Sequence, residues 1–352
     1  MKTGHLRFIG AIAFGIASAA AAPPYGADSQ YHLLKEIPVG GEGGWDYLSV
    51  DTAGRRLYVS HATKVVVIDI DKDMVAGEIT NTPGGHGLAV ASDLQRGFSS
   101  NGRSNTASIV DLKTLTTLSQ VDTGQNPDGM LYEPGQQEVY MFNGRGQSAT
   151  VIDAKAGKVV ATIPLGGRPE FAAADPKAGR VYDNLEDKSE VAVIDAKTHQ
   201  VVNHWPIAPG KGASGMAIDV AHHRLFLGCG NNLMVMMDSE TGKVLGSVPI
   251  GHGVDANAFD PGTQYAFASC GTGTVTIAHE DAPDRLTVVQ TLPTERGART
   301  MALDPKTHEI YLASAKYEAP AEQPAGQPAG GRRGGRTRMT PGIFKILVYG
   351  LE

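Results

Sequence analysis

The stretch Gly129–Ile163, GMLYEPGQQEVYMFNGRGQSATVIDAKAGKVVATI, alternates short apolar runs with tight turns. Gly129-Met-Leu-Tyr-Glu133 ends at Pro134-Gly135, and Glu138-Val-Tyr-Met-Phe142 ends at Asn143-Gly144-Arg145-Gly146. Ala149-Thr-Val-Ile-Asp153 and Val159-Val-Ala-Thr-Ile163 follow, separated by Ala156-Gly157-Lys158. Four runs rich in β-branched and aromatic residues, bounded by Gly, Pro and Asn, read as four antiparallel strands. A lone sheet of this kind would leave one apolar face in water, so the unit must recur and stack.

It does recur. An acidic or equivalent residue closes the first strand of each copy at Asp51, Ala91, Glu133, Asp175, Asp219, Asp260 and Asp304, with gaps of 40, 42, 42, 44, 41 and 44 residues. An apolar residue followed by Asp marks the third strand at Asp69, Asp111, Asp153, Asp195 and Asp238, with gaps of 42, 42, 42 and 43. A period near forty-two carrying several short strands and no helix pattern predicts an all-β chain, a β-propeller of seven four-stranded antiparallel blades. The 44 glycines suit the many tight turns, and the 41 % hydrophobic content is ample for cores between stacked sheets.

The last copy has strands near Arg299-Thr-Met-Ala-Leu303, Glu309-Ile-Tyr-Leu-Ala313 and Phe344-Lys-Ile-Leu-Val348, but no fourth. The unused strand is Tyr31-His-Leu-Leu-Lys-Glu-Ile-Pro-Val39. The N-terminal strand is therefore expected to complete the last blade, closing the ring without an open edge. The propeller should occupy residues 29–352.

The first residues have another role. Lys2 and Arg7 precede the apolar run Phe8 to Ala17 and the small residues Ser18 to Ala22. This is the form of a secretory signal peptide, residues 1–21, cut after Ala19, Ala20 or Ala21 because Pro23 would hinder cleavage directly before it. The run is about half the ~20 residues that a membrane-spanning helix needs, and no later segment is long and apolar enough. No Cys lies near the cleavage site, so no lipid anchor is expected there. The mature chain is expected to be periplasmic or secreted and monomeric. Losing Lys2 and Arg7 from 31 basic residues leaves 29 against 37 acidic, a net charge of −8. Such a charge argues against nucleic acid or anionic lipid as a general partner.

The chain resembles the exported seven-bladed propellers with YVTN-type repeats, the family that includes the YncE proteins. The match rests on Leu57-Tyr-Val-Ser60, on Val-Ile-Asp at Val67, Val151 and Val193, on turns such as Thr241-Gly-Lys243, and on the Val39-Gly-Gly and Ile250-Gly-His loops. It covers essentially the whole mature chain and implies the fold and export. These are scaffold residues, so the resemblance implies no reaction; members include ligand-binding and DNA-associated proteins and accessory domains of surface and redox systems.

Function has to come from columns where the copies differ. Five positions before the first marker stand Asp46, His86, Asp128, Glu170, Ser214, Asp255 and Arg299, all at one mouth of the channel, where loops cluster on a rigid scaffold. Carboxylates converging on a channel can hold a cation, or a divalent metal with His86 as nitrogen ligand beside Asp46 and Asp128. The same carboxylates could equally be solvated, or paired with Arg299. His252 and Asn257 could join from the sixth blade, Trp45 is a candidate pocket wall, and Arg299 could pair with a carboxylate or hold an anionic group.

The loop after the second strand gives a companion column, His61, Asn101, Asn143, Leu185, Cys229, Cys270 and Ala315, in which His61 could face His86. Cys229 and Cys270, the only cysteines, invite a disulfide in an oxidising compartment. Equivalent positions of adjacent blades approach bonding distance only near the axis, so two buried free thiols are the competing expectation. His222 and His223 lie in a turn on the opposite face and read as solvated.

Residues 316–341 interrupt the last blade with a Pro/Gly-rich segment followed by Arg332, Arg333, Arg336 and Arg338. With no apolar periodicity, they are expected to be disordered. The resulting expectation is a ligand-binding or interaction protein whose partner is a small molecule or another protein. The alternative is a metal-assisted, lactonase-like hydrolase or lyase using the same funnel.

Overall fold

The computed structural model describes Met1, residues 30–316, Thr340 and residues 342–351. The expected signal segment beyond Met1 and most of the insertion therefore lie outside the described residues. The strands form seven four-stranded sheets, each antiparallel and consecutive in the chain except for the last. Blades one to six occupy residues 45–79, 85–122, 127–164, 169–206, 213–249 and 254–293. Blade seven combines Met301–Asp304, Glu309–Ser314 and Lys345–Gly350 with the N-terminal strand His32–Pro38, which pairs antiparallel to Lys345–Gly350. The expected closure is present. No helix among the described residues is long and apolar enough to cross a membrane.

The period has a local cause. In the third-strand marker, each Asp turns its side chain onto the following turn. Asp69, Asp111, Asp153, Asp195 and Asp238 each accept, through Oδ1, the backbone N–H groups two and three residues ahead. The carboxylate thus satisfies turn donors that no strand could reach, and it fixes where the fourth strand begins.

A second regularity lies in the second strands. Tyr58, Phe98, Tyr140, Tyr182, Phe226, Phe267 and Tyr311 occupy one equivalent position, and none is more than 1 % exposed. One aromatic ring per blade fills the space between neighbouring sheets, contributing several kcal/mol each relative to a small residue. At the closure, Ile37, Leu57, Ile68, Tyr311, Ile346 and Val348 form one buried cluster joining blade seven to blade one. The N-terminal strand is thereby held by packing as well as by its ladder.

Cys229 and Cys270 are free and fully buried. The disulfide reading is corrected: Cys229 sits in the core between blades four and five, and Cys270 in the core between blades five and six. Burial pushes both thiols up, to about 12 and about 11.

Candidate functional site

The innermost strands do not pair regularly from their first residue. Register slips between Trp45 and Leu48, Gly85 and Gly87, Pro127 and Met130, Pro169 and Ala172, Ala213 and Gly215, and Val254 and Ala256. Asp46, His86, Asp128, Glu170, Ser214 and Asp255 all fall inside these irregularities. A bulge frees a residue from the ladder and re-aims its side chain. The column thus escapes the in-out alternation that governs the rest of each strand. Gly129 makes one such turn feasible, because a Cβ there would lie 2.3 Å from the Glu170 carbonyl oxygen of the next blade.

The column closes into two groups. In the first, His86 Nδ1 lies 2.7 Å from Asp46 Oδ2 and 3.2 Å from Asp128 Oδ1, joining blades one, two and three. One ligand atom from each of the three residues can be chosen so that all lie within 4.8 Å of one another. In the second, Asp255 meets Arg299 Nε at 3.1 Å and Ser214 Oγ at 3.3 Å. Glu170 lies between them, 3.8 Å from Arg168, which also pairs with Glu186.

Crowding carboxylates in a partly enclosed mouth has electrostatic consequences. Burial raises Asp128 to about 6; His86 opposes the shift, while Asp46 and Asp255 add to it. Asp255 also rises to about 6 through burial, against the pull of Arg299. Glu170 is pushed up to about 9 by burial and then by the Asp128 charge. Burial disfavours a charged His86, but the Asp46 hydrogen bond and the Asp128 charge outweigh it and raise the imidazole above its ordinary value.

Tyr47 of blade one stacks on Phe171 of blade four, with ring centroids 4.3 Å apart and planes at 29°. Those blades are not neighbours, so the pair crosses the channel and floors the mouth. The Tyr47 hydroxyl is buried without a hydrogen-bond partner among the described residues, under the charges of Asp128 and Glu170. Beside that pair, a cavity of about 440 Å³ is lined by apolar Leu48, Met130, Met216, Phe259 and Met301 together with polar Ser49. Asn257 lines that cavity and does not join the mouth.

Sequence reasoning missed Asp183, on the second strand of blade four. It is fully buried, neither of its oxygens has a well-formed hydrogen bond, and burial with the nearby Glu170 charge holds it well above the ordinary carboxyl range. Its column otherwise reads Val59, Ser99, Met141, Leu227, Ala268 and Leu312, so one acid among apolar and small residues was the available signal.

Other expected members lie elsewhere. His252 is exposed on its loop and meets Asn232, 3.1 Å away. Trp45 packs on Phe344 in the core between blades seven and one, ring centroids 5.2 Å apart. His61 does not face His86; it is buried and stacks on Phe344 at 4.2 Å. The companion column ends at Ser314, not Ala315, since Ser314 closes the equivalent strand.

Outside the ring, a rim cavity of about 430 Å³ is lined by His86, Arg103, Asn105, Gln125, Asn126 and Arg145. Gly102 lies against His86 Nε2, so the imidazole is the wall between acid cluster and rim cavity. Arg103 and Arg145 are exposed and form no ion pair among the described residues.

No protein-family model matches the chain, and no curated protein matches it in sequence. Solved structures do match in fold. A chain of Kuenenia stuttgartiensis hydrazine synthase superposes with a TM-score of 0.66 at 18 % identity, covering 77 % of this chain and 92 % of that one. A chain from the mitotic checkpoint complex superposes with a TM-score of 0.72 at 14 % identity, covering 86 % and 94 %. At such identities the likeness shows the propeller fold alone.

Proposed function

We propose that this propeller is an exported, monomeric binding protein of the YVTN-repeat kind. It would take a divalent cation at Asp46, His86 and Asp128, and a small anionic molecule in the rim cavity. The carrying observation is the convergence of Asp46 and Asp128 on one nitrogen, His86 Nδ1. A cation replacing the proton there would neutralise the two carboxylates and fix the imidazole tautomer. His86 Nε2 would then be a hydrogen-bond donor facing the rim cavity, where Arg103 and Arg145 supply positive charge. Cation and anion binding would therefore be coupled through one ring. The leader-like residues 1–21 support export, and the net charge of the mature chain supports a small molecule over nucleic acid.

The test is titration of chelator-treated protein with Zn²⁺ and Mn²⁺, followed by calorimetry and melting, for the wild type and Asp46→Asn/Asp128→Asn. Loss of one saturable binding equivalent in the double variant supports the reading. An unchanged stoichiometry in the double variant contradicts it.

A further inference from the structure

At the face opposite the mouth, the first-strand markers share a common use, and blade five adds a second acid to it. Each marker carboxylate there accepts donors from its own turn, and three of them take a further donor from the next blade. Ser92 Oγ donates to Asp51 at 2.8 Å, His308 Nδ1 meets Asp260 at 2.7 Å, and Arg55 donates to Asp304 at 2.5 Å. Asp219 of blade five faces a second acid instead, Glu280 of blade six. His222, in Asp219's own turn, brings Nδ1 to 2.5 Å from Asp219 Oδ2. One atom from each of Asp219, His222 and Glu280 can be chosen so that all lie within 4.8 Å of one another.

Glu280 is the unusual member. It is only 6 % exposed, and its Oε2 accepts no hydrogen bond from any described donor. Arg224 does not resolve this. Its Nε is 3.7 Å from the other oxygen, Oε1, while the guanidinium hydrogen-bonds the Pro283 and His223 carbonyls and pairs with Asp238. A buried carboxylate oxygen beside a second carboxylate is costly unless a cation or a shared proton lies between them. Alongside lies a cavity of about 350 Å³ bounded by His222, Gln264, Glu280 and Pro283, roomy enough for an ion and its water.

We infer that Asp219, His222 and Glu280 form a second divalent-metal site, clamping blade five to blade six at the face opposite the mouth. One imidazole and two carboxylates suit Zn²⁺ or another first-row ion rather than Mg²⁺ or Ca²⁺, which prefer oxygen alone. Three protein ligands leave a position for water. His222 is half exposed and can rotate to seat the ion.

The test uses the full chain carrying Asp46→Asn/Asp128→Asn, so that the mouth does not contribute. Chelator-treated protein is titrated with Zn²⁺, and with Co²⁺ while visible absorption is followed. One equivalent of Zn²⁺, a raised melting temperature and Co²⁺ ligand-field bands are expected. Adding Glu280→Gln should lower Zn²⁺ affinity at least tenfold without lowering the metal-free melting temperature, because the like-charge contact disappears with little change in shape. His222→Ala should also lose the Co²⁺ bands. No saturable Zn²⁺ binding in the background variant, binding indifferent to Glu280→Gln, or a preference for Ca²⁺ would each overturn the inference.

Discussion

Replacing Asp128 by Asn should stabilise the metal-free protein at pH 7, although it removes a partner of His86. The folded carboxyl sits at about 6 against an ordinary value of 3.8. A raised carboxyl binds its proton more tightly folded than unfolded. Its penalty is therefore absent below the unfolded value and fully present above the folded one. About two units correspond to roughly 3 kcal/mol at 1.36 kcal/mol per unit, as an upper bound. Asp128 is about a quarter exposed (23 %), so solvent screening reduces this to about 1–2 kcal/mol. Urea unfolding of wild type and Asp128→Asn, at pH 7 and pH 4 in the presence of chelator, measures the difference. The variant should be more stable at pH 7, and the gain should shrink towards pH 4. A variant less stable at pH 7, or a gain equal at both pH values, would refute the electrostatic description of the mouth.

Three further outcomes follow from the scaffold. Phe226→Ala, at a fully buried ring position, should cost about 3–5 kcal/mol in denaturant unfolding while leaving cation affinity at the mouth unchanged. Under non-reducing conditions a thiol reagent should find two reactive groups in denaturant and almost none in the folded protein, since both thiols are buried. Ile37→Asp, in the closing strand, should cost at least 3 kcal/mol and broaden the unfolding transition by loosening blade seven, as read by circular dichroism.

Blade number, strand order and closure were legible because a propeller writes each blade into the chain in turn. The repeated Asp at the end of the third strands of blades one to five was visible as a motif, and its hydrogen bonds to the turn explain why it recurs. The mouth column was legible for the same reason, since equivalent positions converge on one axis. What escaped are contacts that the period does not align. Tyr47 meets Phe171 across the channel, between blades three apart. Glu280 reaches Asp219 across a blade boundary, from the third strand of one blade to the first of the preceding one, 61 residues apart in sequence. Glu280 takes the position that buried Ile70, Leu112, Ala154, Ala196 and Ser239 hold in blades one to five, and the repeat does not report what that position is buried against. His222 therefore read as a solvated turn residue. Asp183 was hidden because the strand pattern reports that its position is buried, not what it is buried against.

The bulged column at the mouth is proposed as a cation site. Crystals soaked in Mn²⁺ and measured for anomalous scattering test it most directly. A peak within metal-ligand distance of His86 Nδ1 and of carboxylate oxygens of Asp46 and Asp128, lost in Asp46→Asn/Asp128→Asn, is the predicted result. A mouth with no peak at saturating Mn²⁺, its carboxylates bridged only by water and Arg299, would contradict it.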